Sequence, residues 1–184
     1  MQLKAIKLQR GFTLVEILVV VSIILISVGI AGDLIVSVTR SYTKTRVLNE
    51  IEQNGNYLLA KIIYDIKNAT LASSSTGSNL QLTTPYGTVV YTAQFQNTSC
   101  SGGGNTRTIT RSVNGSTALK MTNDACKDGV TLSSDAVFTV QTTANGVTSV
   151  SITIPMIQSG SYTSNSPFTA SQTFSSVVVL RSGN

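Results

Sequence analysis

Histidine and tryptophan are absent from this 184-residue chain, cysteine occurs only at Cys100 and Cys126, and the first of three prolines is Pro85. Without histidine there is no Ser/His/Asp or Cys/His arrangement, and two cysteines cannot complete a four-ligand zinc site. Charged residues make up only 11% of the chain. The net charge is +5, of which Lys4, Lys7 and Arg10 supply three, so everything beyond them carries only +2 (5 less 3). That remainder does not describe a strongly basic nucleic-acid binder. Gly102-Gly103-Gly104 is not followed by the Lys-Ser/Thr of a phosphate-binding loop and reads as a flexible loop beside Cys100. Asp124 and Asp128 flank Cys126, but two carboxylates fall short of the several oxygen ligands calcium takes, so a solvated turn is the plainer reading. The expectation is therefore no enzyme, no metal and no cofactor.

What the chain does have is a long apolar run, RGFTLVEILVVVSIILISVGIAG at 10–32, interrupted by one acid, Glu16. A secretory signal explains the basic start and the small residues 29–32, yet neither Glu16 nor the length. From Phe12 to Gly32 a helix at 1.5 Å per residue spans roughly the 30 Å hydrocarbon core of a bilayer, which suits a retained segment. A plain anchor, with the cations on the cytoplasmic side and Asp33 outside, explains the length. It leaves a carboxylate near the membrane interior, at a cost on the order of 2.5 to 3.5 kcal/mol.

Gly11-Phe12-Thr13-Leu14-Val15-Glu16, with a basic leader before it and an apolar helix after it, resembles the processing site of type IV pilins and the related pseudopilins. The resemblance implies cleavage between Gly11 and Phe12 by a prepilin peptidase on the cytoplasmic side, N-methylation of Phe12, and a register role for Glu16. An ion pair between the Phe12 amine of one subunit and Glu16 of its neighbour relieves the burial penalty of both. Implied partners are the peptidase, other pilin or pseudopilin subunits, an inner-membrane assembly platform and the lipid bilayer before assembly. The implied location is the bacterial inner membrane, then an extracellular filament or periplasmic pseudopilus.

Beyond Asp33 the apolar spacing (Ile35, Val38, Tyr42, Val47, Leu48, Ile51, Gly55, Leu58, Leu59, Ile62, Ile63, Ile66, Ala69) continues a helix to about residue 72, and Gly29 and Gly32 are points where it loosens. The stretch 73–77 ends it. Strands are expected at 80–83, 88–92, 106–113, 118–122, 136–141, 147–154 and 174–181, with type I′ turns at Asn114-Gly115 and Asn145-Gly146. The expected organisation is a cleaved leader 1–11, a membrane or filament-core helix 12–33, an amphipathic helix 34–72, and a β-rich extracytoplasmic head 73–184. The fold class is α+β and pilin-like, a long N-terminal helix with a mainly antiparallel sheet.

Within the head, LLAKIIYDIKNA at 58–69 and the terminal SVVVLRSGN look like W-type minor pilins and J-type pseudopilins of type II secretion. Asp65 and Lys67 belong either to that likeness or to the solvent face of an amphipathic helix. An export context favours a Cys100–Cys126 disulfide, with two unpaired thiols as the alternative. Their mid-domain position departs from major pilins, as does the lack of a helix proline. If Asn114-Gly115 is a two-residue turn, Ile109 pairs with Lys120 and Arg111 with Ala118, so Arg107, Arg111 and Lys120 share one face. Those three cations either contact DNA or form a charged ribbon that discourages aggregation; without an aromatic ladder the second is preferred.

Overall fold

A computed structural model describes residues 11–99, 105–123, 129–159 and 170–181. The expected Cys100–Cys126 pair, the glycine run 102–104, Asp124 and Asp128, and the leader cations lie outside these residues. One helix, α1 (Leu14–Lys67), is followed by β1 (Leu71–Ser73), β2 (Asn79–Thr84), β3 (Gly87–Ser99), β4 (Asn105–Val113), β5 (Leu119–Lys120), β6 (Gly129–Leu132), β7 (Val137–Thr142), β8 (Thr148–Ser159) and β9 (Ser171–Val179). The architecture is α+β and pilin-like, a long N-terminal helix followed by antiparallel sheets. Two compact units divide it, Met1–Tyr42 and Thr43–Asn184.

In the first unit the apolar segment is helical through Gly29 and Gly32, without the loosening the glycines suggested. Its hydroxyls turn back on their own helix: Ser22 Oγ donates to the Leu18 carbonyl and Ser27 Oγ to that of Ile23, each at 2.8 Å. Polar groups satisfied within the helix let it sit in hydrocarbon without an orphan donor.

In the second unit α1 buries Val47, Ile51, Gly55, Leu58, Ile62, Asp65 and Ile66, the three-and-four spacing of a single stripe. The helix stops at Lys67, five residues before the expected end. Asn68 caps it by donating through Nδ2 to the Tyr64 carbonyl at 2.9 Å, and the Thr70 amide already bonds to Thr83. Residues 71–73 form the edge strand β1 instead of a last helical turn, because pairing with β2 satisfies their peptide groups.

The first sheet runs β1-β2-β3-β4-β5; in the second, β8 pairs with β6, β7 and β9. Leu80, Leu82, Val89, Tyr91 and Ile109 of the first sheet join Phe138, Val150, Ile152, Ile154, Met156 and Phe174 of the second in one core with the helix stripe. Helix and sheet approach so closely at Gly55 that a Cβ there would overlap the Phe174 ring.

Two turn expectations need correction. Asn114 and Gly115 have φ of 51° and 71°, as a type I′ turn requires, but Arg111 pairs with Leu119 and Thr110 with Lys120, one residue off the expected register. The turn closes at Val113 and Ser116, and an extra residue is absorbed before β5 begins. At Asn145-Gly146 only Gly146 has positive φ. The Gly146 amide bonds to Thr143 and the Thr143 amide to Val147, a three-residue loop with glycine in the left-handed position.

Candidate functional site

The first site is the start of α1. Gly11, Phe12 and Thr13 precede the helix, and the Glu16 amide bonds to Thr13 Oγ1 at 3.3 Å and to its carbonyl at 3.1 Å. Thr13 is therefore the N-cap, and Glu16 occupies the third helical position of a Thr-x-x-Glu capping sequence. A negative side chain there complements the positive end of the helix dipole. Glu16 thus has a conformational reason to be an acid in its own chain, beside any role toward a neighbour.

Around this cap the helix is apolar on every side. Phe12, Leu14, Val15, Ile17, Leu18 and Ile24 are all more than half exposed, and exposure of large apolar side chains continues to Val38. The helix is long and apolar enough to cross a membrane. A helix hydrophobic all round requires a membrane or other helices as its surroundings.

The second site lies in the β-rich unit, where Asp65 is buried on the inner stripe of α1. Its Oδ2 accepts from the Tyr91 hydroxyl at 2.6 Å and from Arg111 Nε at 2.8 Å, and Lys61 Nζ stands 3.5 Å from Oδ1. Burial alone would raise the Asp65 carboxyl; the hydrogen bonds from Tyr91 and Arg111 and the charges of Arg111 and Lys61 outweigh it and hold the acid below its ordinary value. Burial, together with the adjacent carboxylate, pushes the Tyr91 phenol well above its ordinary value. Burial works against the Arg111 charge, yet Asp65 keeps that guanidinium even more firmly protonated than usual. A cleft of about 280 Å³ opens beside them, lined in part by Tyr64, Asn68 and Tyr86. With two hydrogen bonds on Oδ2 and the Lys61 charge beside Oδ1, Asp65 is built to hold α1 on the sheet, not to exchange protons.

The solvent-face reading of Asp65 is thereby corrected. A usable signal was present in the sequence: Asp65 falls three residues after Ile62 and seven after Leu58, squarely on the buried stripe. An acid at such a position needs a cation or donor from elsewhere in the fold.

The three hairpin cations do not form one face. Arg111 reaches inward to Asp65, and Arg107 pairs with Asp135 at 3.4 Å. Both lie on the side of β4 that carries buried Ile109, whereas Lys120 stands opposite Thr110 and so belongs to the other side. The one-residue register difference separates them, which removes the geometric premise for a shared DNA contact. Among the described residues no group of three or more Cys, Asp or Glu side chains is arranged to hold a metal ion.

Residues 6–32 match the family model described as the prokaryotic N-terminal methylation motif. The match spans Gly11, Phe12 and Glu16, and supports a type IV pilin-like protein. It implies processing by a prepilin peptidase and assembly with other pilins, and with the apolar helix it fits membrane anchoring before assembly. No curated protein and no solved structure matches the chain.

Proposed function

We propose that this chain is a filament subunit, stored in the bacterial inner membrane by the first part of α1 and assembled when the same surface packs against other helices. The observation that carries the reading is the exposed, all-round apolar helix headed by Gly11-Phe12 and the capping pair Thr13 and Glu16. Cleavage after Gly11 creates a positive amine on Phe12, directly before the positive end of the helix dipole. Its own helix therefore repels it, and the carboxylate of a neighbour's Glu16 is the partner that neutralises both charges. Register follows from chemistry: a subunit docks where its amine meets an acid.

Within the filament its role is that of a minor, initiating subunit of the W or J kind. The support is the likeness of 58–69, where Asp65 anchors the helix, and the mid-domain cysteines, which depart from the major-pilin pattern. A second reading, a major structural pilin, is favoured by one feature: Asp33 and Arg40 stand seven residues apart on one side of α1, a spacing that two parallel copies of the chain can match.

The test is leader removal and incorporation into sheared filaments. Gly11→Val should leave the leader uncleaved, and Glu16→Ala should be cleaved yet scarce in filaments. Normal incorporation of the Glu16 variant would sink the register argument. The share of this chain in the sheared fraction separates the roles: dominance means a major pilin, whereas a trace combined with filament loss on deletion means an initiating subunit.

A further inference from the structure

Asp33 is a second acid in the exposed apolar helix, about 25 Å along the axis from Glu16. Apolar exposure does not end at it. Leu34, Ile35, Val36 and Val38 follow, all roughly half exposed or more. From Leu14 to Val38 the apolar surface covers about 37 Å of helix, longer than the roughly 30 Å that lipid tails alone would cover. The turns around Asp33 therefore extend past the hydrocarbon that an upright helix would meet, and a protein neighbour is a cover that suits them.

The charge pattern on those turns says which cover suits them. Arg40 stands seven residues beyond Asp33, two turns along the same side of the helix. Among the described residues neither makes an ion pair. Within one copy the axial separation of about 10.5 Å is too great for direct contact. Between two parallel copies the stripe is self-complementary: sliding one copy toward its neighbour's C-terminal end brings its Asp33 up to the neighbour's Arg40.

We infer that Asp33 of one copy pairs with Arg40 of a second copy of this chain, forming an outer charge clamp on the helix packing that Glu16 sets at the inner end. The inference rests on the filament-subunit reading in the form in which copies of this chain pack against one another, as in a major pilin, and deepens it. The two clamps agree in direction. A Phe12 amine facing a neighbour's Glu16 requires a displacement of four residues, about 6 Å, in the same sense as the seven-residue displacement of the Asp33–Arg40 pair. The difference of three residues, about 4.5 Å, lies within the reach of a flexible arginine side chain laid along an apolar surface. One neighbour can therefore satisfy both. The intervening Leu34, Ile35, Val36 and Val38 would be covered by the neighbour's helix, and the pair would be partly desolvated and less screened than a surface ion pair.

The experiment is cysteine cross-linking in cells. Two differently tagged full-length copies, one carrying Asp33→Cys and the other Arg40→Cys, are co-expressed, oxidised, and recovered from membranes and from sheared filaments. The expected result is a dimer bearing both tags, enriched about fivefold over the 33–33 and 40–40 dimers formed when either variant is present in both copies. As a second measurement, Asp33→Arg and Arg40→Asp should each lower incorporation, and the double exchange should restore it. Equal yields of all three dimers, cross-links only to other proteins, or an exchange that restores nothing would each overturn the inference. If processing and Glu16-dependent incorporation persist through such a failure, the filament-subunit reading survives; if the unaltered chain is neither processed nor found in filaments, that reading falls first.

Discussion

Tyr91 on β3 donates its phenol proton to Asp65 of α1 across 2.6 Å, joining the long helix to the sheet at a point buried from solvent. Arg111 from β4 reaches the same oxygen at 2.8 Å, and Tyr91 and Arg111 are direct cross-strand partners. Helix, third strand and fourth strand thus meet on one carboxylate. An apolar stripe alone would let α1 slide or rotate by a turn at modest cost, whereas a charged group with two directional partners fixes one position.

Removing either partner should destabilise the β-rich unit, by different amounts. Tyr91→Phe keeps the ring and deletes a hydrogen bond to a charged acceptor, so a loss of about 1.5 to 3 kcal/mol is expected. Arg111→Met leaves the buried acid without its main cation. The guanidinium is partly exposed, which places the loss near the low end of the range for a broken buried pair, about 3 kcal/mol. Thermal unfolding of the full-length chain in detergent, followed by circular dichroism, measures both; an unchanged transition in Arg111→Met would mean that the network does not hold the helix.

The same carboxylate makes stability depend on pH in a defined direction. Its value in the folded chain is lowered, so its contribution is present above the unfolded value of about 3.9 and is lost as the pH falls toward the folded one. Tyr91 is raised, so its contribution is complete below about pH 10 and declines as the pH climbs above it. Melting curves of the unaltered chain and of Asp65→Asn should therefore differ most between these limits and draw together progressively as the pH falls below about 4. A difference that is constant with pH would show that the carboxylate charge is not what Asn removes.

How legible these features were depends on the range over which each is decided. The helix needed only local apolar spacing and the lack of proline, and the capping sequence at Thr13 and Glu16 is likewise local. Asn114-Gly115 announced its turn, but not the extra residue that shifts β5 by one and turns Lys120 away from Arg111. β6 (Gly129–Leu132) escaped because all four residues are buried, so no alternation marks it. The Asp65 network joins residues 26 and 46 positions apart. Only the tertiary register brings them together, although an acid on a buried stripe was itself a sign that such partners exist.

Gly55 is a place where a better helix former should make the protein worse. Alanine gains about 1 kcal/mol in helix propensity over glycine. Its methyl group would overlap the Phe174 ring, and overpacking of a filled core costs typically about 1 to 3 kcal/mol. Gly55→Ala should therefore lower the melting temperature, and combining it with Phe174→Leu should recover part of the loss. A more stable Gly55→Ala chain would show that the helix and β9 do not approach as closely as described.

Thr131 joins the two sheets through a bond pattern that a strand would normally supply. Its Oγ1 accepts from the Arg107 amide at 2.7 Å and donates to the Arg107 carbonyl at 3.1 Å, both on the edge of β4 that β5, only two residues long, leaves uncovered there. One hydroxyl thus satisfies a donor and an acceptor of the same residue. Thr131→Val preserves shape but leaves both groups without that partner. The expected loss is about 1 to 3 kcal/mol, whereas Thr131→Ser, which keeps the hydroxyl, should lose much less. Hydrogen exchange at the Arg107 amide distinguishes this from a mere packing defect. Its protection should collapse in Thr131→Val and persist in Thr131→Ser, and equal protection in the two variants would mean that the threonine side chain is not the bridge between the sheets.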